Sequence, residues 1–169
     1  MSSDHVISLI GFPGSGKSTV GVLLAKRLGL EFIDTDLLIQ TREHATLAEI
    51  IAASDHHNLR RIEEQVLLDM PIGPSVISTG GSVVYSPTAM ERLKKVSTVV
   101  YLRATYVTVE YRISLAPDRG IASGADETLA DIYSERIPLY EQYADITVDV
   151  DNTPAETLAG QITALVDAQ

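Results

Sequence analysis

Five short apolar runs punctuate the chain: "HVISLI" (5–10), "EFID" (31–34), "SVIS" (75–78), "TVVYL" (98–102) and "DITVDV" (145–150). Most are continuous rather than alternating, which is the pattern of strands covered on both faces of a parallel sheet. The longer stretches between them repeat apolar residues at helical spacing. Lys17–Leu28 does so with Val20, Leu23, Leu24 and Leu28, and it stops at Gly29, a C′ glycine. Further helices are predicted at 36–54 (interrupted near His44–Thr46), 59–70, 88–95, 105–114, 128–142 and 155–167, with Pro87 and Pro154 marking starts. Regular alternation of strand and helix predicts an α/β sandwich with a five-stranded parallel sheet and right-handed crossovers. No internal repeat or linker divides the chain, so residues 1–169 read as one domain. The loosest stretch, "LAPDRGIASGADE" (115–127), is a linker-like loop or a lid.

Composition narrows the partners. A chain of 169 residues with 45% hydrophobic content can bury a full core. Its net charge of −10 argues against nucleic acid or an anionic membrane as the main partner, although a few local cations can still hold a small anion. Without cysteine, no disulfide, thiolate zinc site or catalytic thiol is available. No apolar run approaches the roughly 20 residues that span a bilayer. The start "MSSDHVISLIG" carries an acid where a secretory signal carries bases, so a soluble cytoplasmic protein is expected.

The chemistry begins at "GFPGSGKST", Gly11 to Thr19, which matches G-x-x-x-x-G-K-[ST] between a predicted strand and a predicted helix. Gly11, Pro13, Gly14, Ser15 and Gly16 shape a loop whose N–H groups can converge on phosphate, with Lys17, Ser18 and Thr19 opening the helix behind it. Lys17 reaches the β- and γ-phosphates, and the Ser18 hydroxyl can ligate Mg²⁺. An acid at the end of a neighbouring strand usually supports that metal through water. Of the predicted strands only "EFID" is both early and acid-terminated, which makes Asp34 the metal candidate; either Asp34 or Asp36 can also cap the following helix.

Basic residues are scarce enough to be informative. In "NLRRIEEQVL" (58–67) the i, i+3 spacing pairs Arg60 with Glu63 and Arg61 with Glu64. Arg61 reads as an exposed, salt-bridged side chain; Arg60 can be that or a ligand-facing cation with Glu63 as its orienting partner. Arg136, in "SERIPLY", precedes Pro138 near a helix end, and Arg119 sits in the 115–127 stretch, where a loop cation can close over a transferring phosphoryl group. Gly80 and Gly81 follow a buried strand, at the end of a sheet where ligands bind.

Taken together, "GFPGSGKST", "FIDTDLLI", "LRRIEEQVL", "STGGSVV", the lid Arg119 and "ERIPLY" resemble the shikimate kinase family in order and spacing from Gly11 through Tyr140. The resemblance implies a P-loop kinase sandwich with a mobile lid and an acceptor-binding helical region at about 36–70. It implies transfer of the γ-phosphoryl of ATP, with Mg²⁺, to the 3-hydroxyl of shikimate in aromatic amino-acid biosynthesis. Lys17, Asp36 and Arg119 would then be catalytic; Asp36, Arg60, Gly80, Gly81 and Arg136 would bind shikimate; Arg112 and the loop Asp151–Pro154 would lie by the adenine. A monomer acting on these small molecules, without nucleic acid or membrane, is expected. The chain departs from the family where Ser82 replaces a third glycine, where Ile51 and Leu59 replace aromatics, and where the lid reads "DRGIASG". A gluconate-type or nucleoside monophosphate kinase, and a non-catalytic P-loop regulator, are the alternatives. Two arginines suited to one carboxylate favour an acid acceptor, and the absence of an N-K-x-D element disfavours the regulator.

Overall fold

A computed structural model describes residues 4–116, 121 and 123–169. Five parallel strands, β1 (Val6–Ile10), β2 (Glu31–Asp34), β3 (Ser75–Ser78), β4 (Thr98–Arg103) and β5 (Ile146–Asp149), pair in the order β2-β3-β1-β4-β5. The central strands are buried along their length, as their unbroken apolar runs require. Eight helices join them: α1 (Lys17–Leu28), α2 (Thr35–Glu43), α3 (Leu47–Ala53), α4 (His56–Asp69), α5 (Pro87–Val96), α6 (Tyr106–Ser114), α7 (Leu129–Tyr143) and α8 (Ala155–Asp167). They cover both faces of the sheet: α1 packs on α8, while α4, α5 and α7 gather round a 3-10 turn at Val83–Tyr85.

The predicted helix 36–54 is two helices. His44 caps α2 in the left-handed region (φ 53°), which turns the chain away, and Thr46 and Glu49 restart it with a reciprocal capping box. Asp55 accepts from the Asn58 N–H and starts α4 three residues before the expected boundary. Helix α7 runs through Pro138 to Tyr143, so Arg136 lies within the helix rather than near its end.

Two apolar clusters result. The larger fills the space around the sheet. The smaller, formed by Ile39, Ile50, Leu59, Ile62 and Val66, packs α2, α3 and α4 on each other beside the sheet. Helix α4 therefore presents one stripe to this satellite core. Leu59, Ile62 and Val66 supply that stripe, and the buried side of the helix continues through Glu63 and through Leu67, which packs into the larger core.

Candidate active site

The site lies at the carboxyl ends of β1, β2 and β3, where the first crossover from β1 passes over β3 to the edge strand β2. The loop after β1 carries Gly14 and Gly16 at φ 89° and 93°, a conformation that side chains resist and that wraps the backbone round one centre. Gly16 is the N-cap of α1 and offers no side-chain acceptor, and no acid occupies the first turn. The helix N–H groups and its positive end are thus left for an anion. Lys17 is buried, and its ammonium donates to the carbonyls of Gly11 (2.7 Å) and Phe12 (3.2 Å), which holds it across the mouth of the loop.

Asp34 and Asp36 divide their work here. Asp34 caps α2, its Oδ1 accepting from the N–H groups of Asp36 (2.9 Å) and Leu37 (3.3 Å), while its Oδ2 accepts from the Ser18 hydroxyl at 2.7 Å. Ser78, opposite Asp34 in the strand register, lies 3.3 Å from the same hydroxyl. β2 is an edge strand, as β5 is, so position in the sheet does not distinguish its acid. Contact with Ser18 does, because Asp149 pairs with Arg103 and Asp151 accepts from Thr105. Hydroxyl and carboxylate oxygens beside a phosphate cradle are donors that suit a hard cation such as Mg²⁺. Asp36 instead enters a cavity of about 630 Å³ that is also lined by Lys17, Ser18, Leu59, Glu63, Gly81, Ser82 and Arg136.

Glu63 and the glycine pair form the back of this cavity. A Cβ on Gly80 would strike Glu63 Oε1 and come within 3.2 Å of Asp36 Oδ1, so only glycine lets both carboxylates approach the backbone. Ser82, next to the pair, donates its hydroxyl to Glu63. Burial pushes the Glu63 carboxyl up to about 7; the Ser82 hydrogen bond opposes this, the Asp36 charge adds to it, and the charges of Arg136 and Arg60 oppose it. Gly81 is held from behind, where the Tyr140 hydroxyl donates to its carbonyl.

Arg60 of α4 and Arg136 of α7 come together at one aromatic ring. Arg136 is 1% exposed despite its charge, with its guanidinium 5.3 Å from the Tyr85 ring centre and 5.7 Å from that of Phe12. The Arg60 guanidinium lies over the same Tyr85 ring at 3.9 Å. The expected Arg61–Glu64 pair does not form: Arg61 donates to Asn58 at 2.7 Å, and Glu64 turns inward to accept from Ser86. Leu59 lines the cavity as expected, whereas Ile51 packs against the satellite core.

A second cavity, of about 280 Å³, lies beyond the phosphate loop between Gly14–Gly16, Thr19, Arg112, Thr153 and Leu158. Arg112 donates to the Gly14 carbonyl at 2.9 Å, so α6 is tied to the loop it flanks. Arg119 lies outside the described residues; its neighbours Leu115, Ala116 and Ile121 line the larger cavity. Among the described residues, no helix is long and apolar enough to cross a membrane.

Sequence reasoning had no role for Tyr85 or Ser82 and gave Tyr140 none within its motif. Glu63 carried a signal, since it falls on the apolar stripe of α4; Tyr85 carried none.

A phosphate loop at the switch of a parallel sheet, lining one cavity with a carboxylate and buried cations, defines a P-loop kinase of small molecules. A family profile described as shikimate kinase matches residues 13–167. The chain belongs to the shikimate kinase family. The shikimate kinase of Chlorobium chlorochromatii is 38% identical over 157 residues, 86% of this chain and 82% of that protein. That of Actinobacillus succinogenes is 34% identical, covering 99% of this chain and 98% of that protein. The solved shikimate kinase from Acinetobacter baumannii, in complex with shikimate, superposes with a TM-score of 0.90 at 30% identity over 97% of this chain and 93% of that one.

Proposed function

We propose that the protein transfers the γ-phosphoryl group of ATP to the 3-hydroxyl of shikimate, giving ADP and shikimate 3-phosphate. The observation that carries this reading is the meeting, in one cavity of a chain from this family, of the phosphate loop, Asp36 and the buried Arg136, with Arg60 alongside. Phosphoryl transfer depends on in-line positioning and charge neutralisation more than on covalent participation of the protein.

The N–H groups of Gly14 to Thr19 receive the phosphates, and Lys17 exchanges its loop carbonyls for phosphate oxygens. Asp36 orients the attacking hydroxyl and accepts its proton as the new O–P bond forms and the bond to the leaving β-phosphate oxygen breaks. Arg60 and Arg136 clamp the substrate carboxylate, a planar fork meeting a planar acid, which lysine cannot reproduce. The backbone at Gly80 and Gly81 stands close to the acceptor. Arg112 flanks the adenine, and Arg119 is the lid cation that neutralises charge on the transferring group. Ser18, with Asp34 acting through water, would hold Mg²⁺. When bound, that ion supplies charge neutralisation at the phosphate oxygens. A monomeric cytoplasmic enzyme acting only on these small substrates completes the proposal.

A coupled ADP-release assay with a panel of acceptors tests it. Turnover with shikimate, and much slower turnover with gluconate and nucleoside monophosphates, is expected. Turnover unaffected by shikimate would overturn the assignment, and slow turnover indifferent to every acceptor would favour a regulator.

A further inference from the structure

The two arginines proposed to grip the acceptor carboxylate present a physical problem. They carry like charges on different helices, α4 and α7, with Arg136 buried and Arg60 half-buried, so that charge is weakly screened. Both guanidinium groups lie over the ring of Tyr85, half-buried on the 3-10 turn that follows the glycine pair. Its ring face is 3.9 Å from the Arg60 guanidinium and 5.3 Å from that of Arg136. Its hydroxyl donates to Glu135 Oε1 at 2.6 Å and is hydrogen-bonded by the Arg136 side chain, which ties Tyr85 to α7. The other end of the turn is fixed as well, because Ser86 caps α5 through the Ala89 N–H and donates to Glu64 of α4. Tyr85 is not on the cavity wall, so any action on the acceptor passes through the arginines.

We infer that Tyr85 is a positioning residue for acceptor binding, its negative ring face holding Arg60 and Arg136 at the separation and orientation that grips one carboxylate. An aromatic quadrupole attracts a guanidinium at these distances, and one ring can serve two cations while adding no charge to compete with the substrate acid. A carboxylate in its place would bind the arginines more tightly and occupy the donors that the substrate needs. Glu63 already lies near both cations, and Tyr85 adds a contact to each of them without adding a further full charge. The aliphatic Leu59 on the cavity wall fits the same picture: the aromatic surface of this pocket stands behind the arginines rather than in front of them.

The inference rests on the proposed activity, and one experiment separates the two. Steady-state kinetics are measured for the wild type and for Tyr85→Leu and Tyr85→Phe, with shikimate and ATP varied in turn. Tyr85→Leu should raise the shikimate KM about 5- to 30-fold, the range of one partly desolvated cation–ring contact. Its kcat should stay within about threefold and its ATP KM should not change. Tyr85→Phe keeps the ring face but loses the hydroxyl's contacts with Glu135 and Arg136, so its shikimate KM should rise clearly less than that of Tyr85→Leu. A shikimate KM in Tyr85→Leu within twofold of wild type would overturn the inference, as would equal losses in both variants or a fall of all parameters together with Tm. Position 85 can also carry phenylalanines of increasing fluorination, which keep shape but weaken the ring face. The shikimate KM should climb along that series, and a flat series overturns the proposal even if Tyr85→Leu fails to fold. A wild type inactive on shikimate would overturn the proposed activity and this inference with it; an active wild type with unresponsive variants would overturn the inference alone.

Discussion

At the scale of single residues, the two carboxylates of "FIDTD" differ by what their neighbours ask of them. Asp34 is committed to the helix cap and to Ser18, whereas Asp36 points into the acceptor cavity. Asparagine caps helices as well as aspartate does, so Asp34→Asn should leave the fold intact and weaken the response of activity to Mg²⁺. Asp36→Asn should spare ATP binding and lower turnover by at least 100-fold, the usual contribution of a general base. Identical phenotypes in an ATP-binding and Mg²⁺-titration comparison would mean that the pair acts as one acidic cluster. Glu63 predicts a pH effect. Below about pH 4.5, its ordinary value, the group is protonated in folded and unfolded chains alike and changes nothing. Between 4.5 and about 7 the unfolded chain releases the proton that the fold retains, so rising pH favours unfolding, and above about 7 that cost is complete. Its size is on the order of 3 kcal/mol. Glu63→Gln should flatten this part of the profile, so the stability difference between variant and wild type should move in the variant's favour from pH 5 to pH 8 in urea titrations. A constant difference would contradict the assignment.

At the scale of elements, the 3-10 turn is the joint between the sheet and the acceptor-side helices. Ser86 ends it by capping α5 and by donating to Glu64, which couples α5 to α4. Ser86→Ala removes both links and should cost about 1–2 kcal/mol, read as a lower urea midpoint with unchanged slope. The elements themselves were largely legible beforehand. Strands with unbroken apolar runs and helices with a clear stripe need little beyond local sequence to be recognised. The interruption at His44–Thr46 was visible too, because "TLAE" is a capping box and a box marks a start. Helix α4 shows the limit. The i, i+3 rule suggested Arg61 and Glu64 as surface partners, but packing of the satellite core rotates Glu64 toward Ser86 and leaves Arg61 to Asn58. Sequence spacing says which side chains are neighbours on a helix, and the facing element decides which of them meet.

At the scale of the molecule, an acidic chain binds anionic ligands by concentrating a few cations. Lys17 and Arg136 are buried at the cavity, with Arg60 beside them and the acids Asp36 and Glu63 on the same wall. Each substrate should stabilise the fold by mass action, about 2.7 kcal/mol at 100 times its Kd, or a Tm rise of roughly 5–10 °C for a chain of this size. Arg60→Ala and Arg136→Ala should lose the shift produced by shikimate, each variant giving up a charged contact of roughly 2–4 kcal/mol, and keep the shift produced by ATP. Loss of the ATP shift instead would place these arginines on the nucleotide side. Arg136→Ala should also lower the Tm without ligands, since a side chain 1% exposed leaves a large void.

The sequence by itself determined the order of strands and helices, the phosphate loop and the positions of the scarce cations. Each of these is written within a contiguous stretch, where backbone preference and spacing act locally. Only the tertiary structure decided that Glu63, Gly80 and Asp36 share one corner, that Ser82 donates to Glu63, and that Arg60 and Arg136 both lie over the Tyr85 ring. Those contacts join segments brought together by parallel strand pairing and helix packing. Their geometry follows from which face each element buries, which no single stretch of the chain specifies.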